Sequence, residues 1–141
     1  CNNTPLRAAA FNGQTEMIEY LVKNGAKVNA RTFETPWTVA GLTPLISAAK
    51  AGKIEAAKML LEKGADINAA TETNSNNRPP EERSKTALMF AISEGTPEMV
   101  KFLIEKGADV NVKNGAGKSA MALAVENKKS ETVKLLKSIE K

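Results

Sequence analysis

TPLISAAKAGKIEAAKMLLEKGADINA, residues 43–69, is the stretch on which the fold turns. Thr43 can cap a helix with its hydroxyl, and Pro44 follows at the first helical position, where a missing N–H costs nothing. The helix these residues open is built from small side chains, as in Ser47, Ala48 and Ala49, so a neighbouring helix can come close, and Gly52 ends it. A second run then pairs Ala56/Ala57 with Leu60/Leu61, a spacing that gives one broad buried face on a second helix. Gly64 stops that helix, and glycine adopts the left-handed conformation used there at no steric cost. Two short helices and a turn cannot bury both of their faces, so a unit of this kind has to lean on others like it.

The others are present. TPLRAAAFNGQTEMIEYLVKNGAKVNA (residues 4–30) and TALMFAISEGTPEMVKFLIEKGADVNV (residues 86–112) superimpose on the first stretch, with Thr4, Thr86 and Pro5 at the same places. SAMALAVENKKSETVKLLKSIEK, residues 119–141, matches until the sequence ends. The heads at 4, 43, 86 and 119 are spaced by 39, 43 and 33 residues, so a basic unit of 33 carries additions of 6 and 10 at two junctions. Met17/Ile18 with Leu21/Val22, and Met99/Val100 with Leu103/Ile104, repeat the paired apolar pattern of the second helix. Gly13 and Gly95 repeat Gly52, and Gly25 and Gly107 repeat Gly64.

With T-P-L at its head and G-A-D-V-N at its tail, this unit resembles the ankyrin repeat, and the resemblance covers nearly the whole chain. It implies an all-α solenoid of stacked helix-turn-helix units joined by β-hairpin-like loops. One domain spans 1–141: repeat 1 at about 3–30, an insertion loop at 31–41, repeat 2 at 42–69, a second insertion loop at 70–85, repeat 3 at 86–113 and a capping repeat at 117–141. In the last unit Lys137 stands where Ile104 does, Thr132 where Met99 does, and Lys128 where Gly95 does, which predicts an exposed terminal surface. The first unit keeps Ala8, Ile18 and Val22 apolar, which implies a cover from something preceding it. The family's usual T-P-L-H histidine is replaced by Arg7, Ile46, Met89 and Ala122, so its hydrogen bonding between adjacent turns is expected to be weaker or replaced by packing.

Composition narrows the function. There is no histidine and a single cysteine, so no Cys/His zinc site can be built and no disulfide can form within the chain. The 20 basic and 16 acidic residues give +4, with Lys and Glu interleaved along the same segments, and aromatics make up 4% and stand apart from the charges, unlike a nucleic-acid surface. No stretch has the apolar length needed to cross a bilayer. KNGAGKSA, residues 113–120, carries Gly-Lys-Ser but lacks the earlier glycine of a phosphate loop, since Val112 stands five before Gly117. It falls at a unit junction, where Gly115 and Gly117 are expected to form a tight turn with Lys118 pointing from it.

The resemblance implies a non-catalytic module that binds another protein through its concave side, as a monomer and without cofactor or metal. By position in the unit, the exposed variable places are Asn3, Phe11 and Asn12; Leu42, Lys50 and Ala51; Lys85, Ser93 and Glu94; and Lys118, Glu126 and Asn127. Within the first insertion, Arg31, Phe33 and Trp37 either anchor a partner or fold back as a small core of their own. The second, with Asn74 to Asn77, Pro79 and Pro80, has a composition expected to stay mobile, and Arg78 and Arg83 could meet an acidic partner. An inhibitor or immunity-type protein guarding a co-produced enzyme is a special case of the same reading. An enzyme would depend on carboxylates or lysine, yet Glu16, Glu55, Glu98 and Glu131 recur once per unit at the start of the second helix, as a helix dipole favours and a single catalytic pair does not. Cys1 is either the edge of an excised piece or the acylated first residue of a processed bacterial lipoprotein, and the compartment, cytoplasmic or membrane-anchored, follows from which.

Overall fold

The computed structural model describes residues 4–33, 40–72 and 78–139. Within them the chain forms four helix pairs: α1 (Pro5–Phe11) and α2 (Thr15–Lys23), α3 (Pro44–Ala51) and α4 (Ile54–Glu62), α5 (Ala87–Glu94) and α6 (Pro97–Glu105), α7 (Ala120–Glu126) and α8 (Ser130–Ile139). Each first helix starts as its sequence dictates. Thr4, Thr43, Thr86 and Ser119 accept hydrogen bonds from the N–H groups of Arg7, Ile46, Met89 and Ala122 at 3.2, 3.2, 3.4 and 3.3 Å.

The pairs stack in two layers, α1, α3, α5 and α7 in one and α2, α4, α6 and α8 in the other. The core is continuous from Leu6 to Leu136 and runs through the small residues Ala9, Ala10, Ala48 and Ala49, whose missing bulk lets first helices approach one another. At the junctions Asn29 Oδ1 accepts from Asp66 N–H at 2.8 Å, and Asn68 Oδ1 accepts from Asp109 N–H at 2.9 Å, so the asparagines of the first two G-A-x-x-N tails tie one turn to the next. Arg7 Nε donates to the buried Ser47 hydroxyl at 3.1 Å, a bond between units at the place where the family's histidine is replaced. Ile46 and Met89 are buried and contribute packing there, as anticipated.

Two expectations need correction. The second insertion is ordered over residues 78–85: a 3-10 helix spans Pro80–Glu82, and buried Thr71 holds the segment by donating to Glu82 C=O at 2.7 Å while accepting from Lys85 N–H at 2.9 Å. Its order comes from the surface beneath it, because Gly115 N–H donates to Arg83 C=O at 2.8 Å and Asn114 Nδ2 donates to Glu81 C=O at 3.3 Å. Asn74 to Asn77 lie outside the described residues. Thr132 is buried, not part of a terminal surface; it faces the preceding unit, as Met99 does, whereas Lys128 and Lys137 are exposed. In the first unit Ile18 lies in the core, while Phe11, Met17 and Tyr20 are exposed.

Candidate functional site

The first-helix layer and the hairpins that lead into it form one face, and its geometry starts from three equivalent buried polar residues. Thr32, Thr71 and Asn114 each stand seven residues after the glycine that ends a second helix. Thr32 Oγ1 accepts from Leu42 N–H at 2.9 Å, Thr71 closes its hairpin on Lys85, and Asn114 Oδ1 accepts from Ala116 and Lys118 N–H at 3.0 Å each. A buried polar atom left unpaired is costly, so these bonds fix where each junction turns. Sequence reasoning passed over all three, because a lone Thr or Asn in a loop is unremarkable until its burial is known.

Hairpin closure decides the fate of Leu42. It was expected to be exposed, but the paired bonds Thr32 N–H to Leu42 C=O at 3.1 Å and Gly41 N–H to Thr32 C=O at 2.9 Å turn its side chain into the core. Arg31 donates from its guanidinium to Ala70 C=O and lies 4.0 Å from Glu72, bracing the first hairpin against the second. Phe33 is 79% exposed, while Trp37, Cys1 and Asn3 lie outside the described residues. Arg83 donates through Nε and its terminal nitrogen to Arg78 C=O at 3.0 and 2.7 Å, and Arg78 lies 3.8 Å from Glu82, so both guanidinium groups make contacts within their own segment.

On the helices, Phe11 is 52% exposed, and Asn12 is exposed with its amide donating to Ala8 C=O at 2.9 Å. Lys50 pairs with Glu94 at 3.7 Å, and Ser93 donates its hydroxyl to Met89 C=O at 3.1 Å. Lys118 does not point away from its turn but bonds Glu126 at 2.6 Å, which raises its pKa. At the middle of the face, Phe90 lies under two ammonium groups, with Lys85 Nζ 4.3 Å and Lys50 Nζ 5.3 Å from its ring centroid. Phe90 had escaped notice because it shares its place in the unit with Ala8, Ser47 and Leu123, and within TALMFAISEG it is one apolar residue among many.

Glu16, Glu55, Glu98 and Glu131 sit in the first turns of α2, α4, α6 and α8, where a carboxylate favours the helix N-terminus. Among the described residues no group of three or more His, Cys, Asp or Glu side chains could hold a metal, and no helix is long and apolar enough to cross a membrane. A search of curated proteins gives no match to this chain. The family model described as ankyrin repeats (3 copies) matches residues 1–71 and again residues 69–141. Two overlapping matches that span the whole sequence, on a stack of capped helix pairs with a shared core, place this chain in the ankyrin-repeat family.

Proposed function

We propose that this chain is a non-catalytic binding module that holds a partner protein on the face formed by its hairpins and first helices. Ankyrin repeats are in general protein–protein interaction modules. The observation that carries the reading here is the cluster of two ammonium groups from different units over one buried ring at the middle of the first-helix face. The first-helix face presents exposed Phe11, the Lys85–Phe90–Lys50 cluster and, on the adjoining hairpin, exposed Phe33. Aromatic and cationic side chains on a rigid support are the usual anchors of an interface, and a prebuilt surface loses little entropy when a partner docks.

Selecting binders from a displayed random-peptide library on the full chain tests this, with the bound site mapped by amide chemical-shift changes. The expected changes cluster on Phe11, Phe33, Lys50, Lys85 and Phe90, and a Phe11→Ala, Phe33→Ala double variant weakens binding with little change in melting temperature. Binders that perturb only α2, α4, α6 and α8 would overturn the assignment of the face.

A further inference from the structure

Lys85 is half-buried, one residue before the cap of α5, and its ammonium rests on a ring that is itself only 5% exposed. Lys50, from the neighbouring unit, brings a second ammonium to the same ring. One carboxylate is close, that of Glu94, and it pairs with Lys50 at 3.7 Å. The next, Glu82, lies 3.8 Å from Arg78. Among the described residues none comes within 4.0 Å of Lys85 Nζ, so two cations share one anion around a buried aromatic floor. Burial, with the charge of Lys50 adding to it, pulls the Lys85 pKa below its ordinary value, while Glu94 and Glu82 act in the opposite direction.

A desolvated ammonium without a partner within ion-pair distance is a cost to the folded chain, and a neutral side chain of similar length would avoid it. An incoming anion would remove that cost, and it would gain more there than at a fully hydrated lysine because the site is partly dry. We propose that Lys85 and Lys50, set over Phe90, form an anchor for a side-chain carboxylate of the partner, so that the partner segment lying on this face is acidic. This rests on the binding face proposed above. The neighbouring lysine in the equivalent register, Lys118, is unsuited to the role because Glu126 already occupies its ammonium at 2.6 Å.

The same displayed library, applied in parallel to the wild type, Lys85→Gln, Lys50→Gln and the outer-layer control Lys101→Gln, separates the two ideas. Peptides retained by the wild type and the control are expected to be enriched in Asp and Glu over the input, and both test variants should lose that bias. Replacing the critical Glu of a selected peptide by Gln should weaken it roughly tenfold on the wild type and hardly at all on Lys85→Gln. The titration midpoint of Lys85, followed by NMR at its side-chain carbon, should rise when an acidic peptide is bound, because a nearby anion favours the charged form. That readout uses the wild type and stands even if a variant folds poorly. Peptides bound to this face without acidic bias, a bias that survives in Lys85→Gln, or an unmoved Lys85 midpoint would overturn the anchor while leaving the binding face in place. A library that yields no binder to this face would overturn both.

Discussion

Gly64 and Gly95 both close a helix in the same repeat pattern, yet glycine is required at each for a different reason. Gly64 has φ +97°, and a Cβ added there meets nothing within 4 Å, so only backbone conformation is at stake. Gly95 has an ordinary φ of −93°, but a Cβ would lie 2.6 Å from Ala49 C=O and 2.9 Å from Ala91 Cα. One is a local demand that the helix ending makes visible in the sequence; the other is a contact between units that only the stack creates. Gly64→Ala is expected to cost about 1–2 kcal/mol for the left-handed backbone. Gly95→Ala is expected to cost more, about 3 kcal/mol or above, because a main-chain carbonyl of the neighbouring unit has to move. Urea denaturation of the two variants side by side checks the order, and a Gly95→Ala variant as stable as Gly64→Ala would mean that the stack yields easily at that point.

At the scale of elements, the hairpin insertions show how a segment of unpromising composition acquires structure. Residues 78–85 bond within themselves through Arg83 to Arg78 and the Pro80–Glu82 turn, but their composition does not favour order, since Pro79 and Pro80 offer no N–H and charged side chains surround them. Thr71 on one side and Gly115 on the other supply the bonds, and a side chain at Gly115 would put its Cβ 2.6 Å from Pro80 C=O. Thr71→Val keeps the shape but strips both hydroxyl bonds, leaving Lys85 N–H and Glu82 C=O short of partners at a loss of about 1–3 kcal/mol. Hydrogen exchange at the Ser84, Lys85 and Gly115 amides should quicken in this variant while that of Leu60 and Leu103 holds. Unchanged exchange across the segment would show that Thr71 is not what fastens it. The site follows from the same element, because the residue whose N–H Thr71 holds is Lys85, the lysine whose ammonium lies on the Phe90 ring.

For the molecule as a whole, the two ends of the stack are unlike. Met17 and Tyr20 are 46% and 63% exposed at one end, and Val125 is 59% exposed at the other, where Ala10, Ala49 and Ile92 of the earlier units are buried. Those apolar ends could meet head to tail and continue indefinitely from copy to copy. The later end carries an obstacle. Inside the stack, the residue after each of the first two helix pairs' inner turns comes close to the next unit, with a Cβ on Gly13 falling 3.0 Å from Lys53 Cδ and one on Gly52 falling 3.0 Å from Thr96 Cγ2. Lys128 holds that place in the last unit with φ +56°, a conformation unfavourable for lysine, and Lys137 stands beyond it in place of an apolar side chain. We therefore expect the wild type to sediment as a monomer, and a Lys128→Gly, Lys137→Ile variant to self-associate progressively as concentration rises in analytical ultracentrifugation. A double variant that stays monomeric would remove these lysines from any role in keeping copies apart.

The sequence by itself determined the unit and its repetition. Thr43, Pro44, Gly52 and Gly64 set helix starts and stops through bonds and backbone angles that lie within a few residues, and such interactions are written in order along the chain. Register between equivalent residues then showed which surfaces must stack, and with them the face of first helices and hairpins. Tertiary structure alone decided which side chains that face offers. It turned Leu42 inward, tied Arg83 to Arg78, covered Thr132, and set Lys85 and Lys50 from different units over one ring. Those outcomes depend on contacts across roughly one repeat length, on burial that exists only after stacking or, for the Arg83–Arg78 bonds, on a turn fastened by Thr71 and Gly115, so neither spacing nor composition could reveal them.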